Sequence, residues 1–87
     1  MTASDLISVD HPTDRPNFYI VSTPGYRVAF SYRTPVGLNR LDGSGWMVRD
    51  NEWGPTTGKH LNYLDGGDKA SRVDGATFGA ALEAAIS

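Results

Sequence analysis

With 87 residues, no cysteine and a formal net charge of −2 at a pI of about 5.5, the chain has room for one domain and can neither staple it by a disulfide nor hold a thiolate-bound metal. A domain this small hides only roughly 60–65% of the surface its unfolded chain exposes, so its core must come from aliphatic and aromatic side chains. No run reaches the roughly 18 apolar residues of a membrane span, no basic-then-apolar stretch opens the chain, and the acidic balance disfavours an all-round polyanion-binding surface.

Residues 1–16 hold two prolines, three aspartates and no periodicity, which predicts a mobile leader, with a short edge strand at 6–9 as the alternative. Residues 17–87 are expected to form a single α+β domain. Phe18–Ser22 is a β-branched and aromatic run closed by Thr23-Pro24-Gly25, a type II turn signal. In 26–33, Tyr26, Val28, Phe30 and Tyr32 alternate with Arg27, Ala29, Ser31 and Arg33. That period of two predicts a strand with the first set on the core and the second toward water.

Thr34-Pro35 interrupts the pattern, because proline cannot donate to a ladder. A third strand is expected at 36–41 and a fourth at 46–49, joined through Asp42-Gly43, a hairpin signal that Ser44-Gly45 lengthens. Short connections favour a small antiparallel meander of three to four strands. Thr56 or Thr57 can cap a helical turn over 59–64 that Asp65-Gly66-Gly67 ends. At the C-terminus Asp74 is an N-cap candidate, and Phe78, Ala81, Leu82 and Ala85 recur at i, i+3, i+4 and i+7, the stripe of a helix docked on one face of the sheet.

The densest polar chemistry lies in 53–68, where Trp53, Thr56, Thr57, Lys59, His60 and Asn62 sit among glycines, as a loop-borne binding surface requires. Gly54-Pro-Thr-Thr-Gly-Lys-His60 differs from a nucleotide-binding loop: three residues separate its glycines instead of four, and His60 replaces the metal-binding hydroxyl. Lys59 at a helix start could instead contact a simple anion. His60 could be combined with Thr57, Asp65 or Asp68 into an acid–base set, but nothing in the spacing brings them within hydrogen-bond reach. The plainer reading packs His60 on Trp53 or Tyr63 and pairs it with backbone. His11 is the only other histidine, and Asp65-Gly-Gly-Asp68 lacks calcium-loop spacing. No catalytic residue, metal or cofactor is implied. The stretch 25–73 is mildly basic, and Arg27 and Arg33 offer a contact for nucleic acid or an acidic partner on a basic sheet face.

Ser31-Tyr-Arg-Thr-Pro-Val36, Trp53-Gly-Pro-Thr-Thr-Gly-Lys-His-Leu-Asn62 and Asp65-Gly-Gly-Asp-Lys-Ala-Ser-Arg72 resemble a family of small domains from bacteriophages and other mobile elements, over about 18–82. That family has no assigned activity. The resemblance implies a non-enzymatic accessory protein in the cytoplasm of a bacterial host, binding a host protein or ribonucleoprotein machine as an anti-defence inhibitor such as an anti-CRISPR protein. The alternative is a small nucleic-acid-binding module.

Overall fold

The computed structural model describes residues 8–11 and 17–86. Five strands form one sheet in chain order: β1 Ser8–Asp10, β2 Phe18–Ser22, β3 Arg27–Ser31, β4 Thr34–Asn39 and β5 Trp46–Val48. Every neighbour is antiparallel, so the expected meander is present with one strand more than the three to four predicted. The addition is β1, whose Val9 pairs with Val21, close to the edge strand weighed at 6–9. The rest of the predicted leader, 1–7 and 12–16, lies outside the described residues.

Two helices follow, α1 Pro55–Asp65 and α2 Gly75–Ile86, separated by a 3-10 turn at Lys69–Ser71. Helix α1 has eleven residues, much more than the turn expected at 59–64. Neither threonine caps it. Gly54 is the extended N-cap and Pro55 takes the first helical position, where a missing N–H costs nothing. Its end is as expected: Gly66 adopts φ 66° and its N–H donates to the Asn62 carbonyl. Helix α2 starts where Asp74 Oδ1 accepts the Thr77 N–H at 2.7 Å, the predicted cap. After α1 the chain returns to the sheet, and Val73 bridges Arg49 in parallel, with α1 and the 3-10 turn as the crossover.

The helices lie on opposite faces of the sheet, and this overturns the assignment of one face to water. On the α1 side, Phe18, Ile20 and Ala29 pack with Trp46 and Leu64, while Val36 and Val48 pack with Leu61. On the α2 side, Val28, Leu38 and Phe78 form the centre, with half-buried Tyr26, Phe30, Met47, Ala81 and Leu82 around them. Ala29 and Ser31, read as solvent-facing, are therefore among the most buried residues, because an amphipathic helix covers their face as well.

Local backbone details seat the helices. The β3–β4 register shifts between Ala29 and Phe30, so that Ala29 pairs with Gly37 and Phe30 with Pro35. The extra residue, Val36, joins the cluster under α1, whereas strict alternation would set it opposite Gly37. Gly37 itself gives α1 room: a Cβ there would lie 2.6 Å from Leu64 Cδ1 and 3.2 Å from Trp46. The β2–β3 turn is closed by Thr23 Oγ1, which accepts the Tyr26 N–H at 3.2 Å; Gly25 is not in the left-handed region, so the predicted type II geometry is absent. Strands β3 and β4 are joined by Tyr32-Arg33 alone. Tyr32, assigned by alternation to the core, is in that turn, exposed and left-handed at φ 57°.

Candidate functional site

Helical phase divides the segment 53–62. Residues three or four apart share a helix face, and Thr57, His60 and Leu61 point into the sheet and are buried, whereas Thr56, Lys59 and Asn62 point outward. The inward half is a polar network. Ser31 Oγ lies 3.0 Å from Thr57 Oγ1 and 2.7 Å from His60 Nδ1. With one proton on the serine, either it donates to a bare Nδ1 and accepts from Thr57, or a protonated Nδ1 donates to it and it donates to Thr57. Both arrangements satisfy the buried group. His60 stacks on Phe18 at 5.0 Å and 16° between planes, and Tyr63 meets the same Phe18 ring edge-on at 5.3 Å.

The acid–base sets considered for His60 are only partly assembled. Thr57 reaches it through Ser31; Asp65 is engaged elsewhere. Arg72 Nε donates to Asp65 Oδ2 at 2.7 Å, and its Nη2 donates to Asp65 Oδ1 at 3.1 Å and to Asn62 Oδ1 at 2.9 Å. Burial by itself would push the Asp65 carboxyl up. The Arg72 hydrogen bonds, the Gly67 N–H and the guanidinium charge outweigh it and hold that carboxyl below its ordinary value. Asp65 raises Arg72 in turn, chiefly by accepting its hydrogen bond. This pair ties the segment after α1 back to the helix, a role that neither residue's sequence context announces.

Outside the network, Lys59 faces a cleft of about 520 Å³ together with Asp50, Asn62, Lys69 and Arg72. It sits a full turn into α1, and the free N–H groups expected to join it in an anion contact belong to residues nearer the helix start. Trp53 precedes the helix. Its N–H donates to Asn51 Oδ1 at 2.9 Å, and the Arg49 guanidinium lies 5.0 Å over its ring. Arg49 is aligned by Glu52 at 2.7 Å and passes Gly75, where a Cβ would stand 2.6 Å from Nη2. Trp53 is thereby fixed while 44% exposed.

Arg27 and Arg33 do not share a face. Arg27 opens β3, donates from Nε to Ser22 Oγ at 3.1 Å and lies over Trp46; Arg33 is beyond the end of β3, in the hairpin turn. Exposed aromatic residues gather at that end instead. Tyr32, 51% exposed, and Trp53 line one concavity with Ser31, Thr34 and Thr57. A second concavity, which shares Tyr32 and Thr34 with the first, is lined also by Asn17, Tyr19 and Arg33. Sequence alternation missed Tyr32 and Tyr19. The available signal was the closeness of Thr34-Pro35 to Ser31, which leaves only Tyr32 and Arg33 to reverse the chain.

A family of unknown function, DUF8033, matches residues 9–80, spanning β1 through the middle of α2. The chain belongs to the DUF8033 family. No curated protein matches it, and no solved structure does. The DUF8033 match covers the buried Ser31–Thr57–His60 network, the Asp65–Arg72 pair and the exposed residues at the hairpin end alike. Among the described residues, no helix is long and apolar enough to cross a membrane.

Proposed function

We propose that this DUF8033 protein is a non-enzymatic binding module that docks on a macromolecular partner. Following its resemblance to small bacteriophage domains, the partner is a host protein or ribonucleoprotein machine, and docking inhibits it, with anti-defence inhibition of the anti-CRISPR kind as the concrete form. The observation that carries this reading is the exposure of Tyr32 and Trp53 around one concavity. Tyrosine, tryptophan and arginine dominate the energetics of protein interfaces, and a rigid aromatic loses little entropy on binding. Trp53, already stacked under Arg49, is organised before any partner arrives.

Acyl-transfer chemistry at Ser31 has less support. An oxyanion needs backbone donors aimed at it, and the adjacent Tyr32 N–H is engaged by the Asn17 carbonyl at 2.7 Å. Capture from bacterial lysate tests docking. Trp53→Ala and Tyr32→Ala are expected to retain the wild-type melting temperature and lose the captured partner. Capture undiminished in both variants would overturn the assignment of this surface.

A further inference from the structure

We infer that the two adjoining concavities lined by Tyr32 receive an extended, acidic segment of a partner protein, with Tyr32 as an aromatic contact common to both and Arg33 as the cation that pairs its carboxylate. This rests on the docking function proposed above and adds the chemistry of what is docked.

The first observation is shape. The concavities, of about 240 and 520 Å³, share Tyr32 and Thr34, so they adjoin at the hairpin end. An extended chain presents residues i and i+2 on the same side, roughly 6.5–7 Å apart, and can seat one in each of two adjoining hollows. Trp53 and Val36 give the first concavity an apolar wall, and Tyr19, stacked on His11 at 4.8 Å, walls the second.

The second observation is charge. No acidic residue lines either concavity among the described residues, although the chain as a whole carries −2. Arg33 makes no ion pair with a described residue, while Arg49 and Arg72 are engaged by Glu52 and Asp65. A carboxylate is the complement of a guanidinium that no described acidic residue engages. A nucleic acid offers a phosphate at every nucleotide and needs several cations along its path; a single arginine on an acidic protein favours the peptide.

The third observation is backbone conformation. Tyr32 at φ 57° and Asn17 at φ 61° are both left-handed, joined by the Tyr32 N–H to the Asn17 carbonyl. A bulky residue is rare in that region, where glycine is at ease, and such strain concentrates at functional positions. A role in docking accounts for an exposed tyrosine where glycine would fold more easily.

The test is selection of displayed random dodecapeptides on the wild-type protein, followed by affinity measurement of the enriched peptides on variants. The expected consensus has Asp or Glu within two or three residues of an apolar pair spaced i, i+2. Binding should weaken at least tenfold in Arg33→Glu and in Tyr32→Gly, with the melting temperature of Tyr32→Gly equal to or above wild type. Enriched peptides without acidic residues, or equal affinity for Arg33→Glu, would overturn the inference while leaving docking intact. Tighter, saturable binding of oligothymidine that Arg33→Glu abolishes would overturn it in favour of nucleic acid. Lysate capture that survives Trp53→Ala and Tyr32→Ala, with no peptide enriched, would remove both the docking surface and this inference.

Discussion

Ser31 stands where a single hydroxyl answers two polar neighbours from another element, Thr57 at 3.0 Å and His60 at 2.7 Å. Losing a hydrogen bond to a buried polar group costs about 1–3 kcal/mol, and Ser31→Ala removes both contacts while taking away almost no volume. In a domain of this size each kcal/mol corresponds to roughly 4–8 °C. Thermal unfolding of Ser31→Ala is expected to show a loss of several degrees, and an unchanged midpoint would mean that the network does not contribute to stability. Lys59 is the counter-example one helical step from His60. It is exposed and makes no hydrogen bond or ion pair with a described residue, so Lys59→Ala should leave the midpoint within about 0.5 kcal/mol of wild type, as ordinary surface substitutions do.

Helix α1 is held by contacts at different points along its length. Near its C-terminal end Leu64 sits over Gly37, and Gly37→Ala would place a methyl 2.6 Å from Leu64 Cδ1 and 3.3 Å from Ala29 Cβ. Leu64 can turn aside but Ala29 cannot, and overpacking of this kind typically costs about 1–3 kcal/mol; denaturant titration should show that loss with an unchanged slope. At the helix end the Arg72–Asp65 pair is almost wholly covered, with side chains 3% and 6% exposed. Removing one partner of a buried pair is destabilising by about 3–5 kcal/mol, so Arg72→Met should melt well below wild type at neutral pH. The pH dependence has a definite sign. The Asp65 carboxyl titrates lower in the folded protein than its unfolded value of about 3.9, so its contribution is complete above that value and is lost as pH falls through the folded one. Between neutral pH and pH 5 the pair should contribute fully. Below about pH 4, Asp65→Asn should lose stability less steeply than wild type. Some acid sensitivity will persist, because hydrogen bonds from Ser44 to Asp42 and from Thr77 to Asp74 lower those carboxyls too.

One sheet with a helix on each face gives this small molecule two thin cores back to back. Phe18 is buried on the α1 side and Phe78 on the α2 side. Truncating a buried phenylalanine costs about 3–5 kcal/mol, against a total of roughly 4–13 kcal/mol for a chain of this length. Phe18→Ala and Phe78→Ala are each expected to be largely unfolded by circular dichroism, losing both helices together because the sheet is common to both cores. A variant that keeps a cooperative melt with only one helix lost would show that the cores fold independently. Phe30 occupies the predicted place between sheet and α2, but only half-buried at the margin of that core, so Phe30→Ala should be milder than Phe78→Ala.

Local chemistry in the sequence was sufficient for the elements that are settled locally. Phe18–Ser22 is a strand because a β-branched and aromatic run has few alternatives, Gly66 ends α1 because it takes φ 66° without a Cβ clash, and Asp74 starts α2 because its carboxylate meets the Thr77 N–H three residues on. The face of β3 that carries Ala29 and Ser31 could not be assigned in that way. Period-two alternation distinguishes two faces but not how many are covered, and only the arrival of α1, some 25 residues later, buries both residues. The same arrival divided the polar segment 53–62. Composition marked Thr57, His60, Lys59 and Asn62 together as a surface, whereas the helical phase and the sheet beneath it sent Thr57 and His60 inward and left Lys59 and Asn62 outside. Tyr32 went the opposite way, since a two-residue turn between paired strands takes its side chain out of the alternation. Which polar and aromatic groups can meet a partner was therefore decided by tertiary structure, because exposure depends on what packs against a residue from elsewhere in the chain.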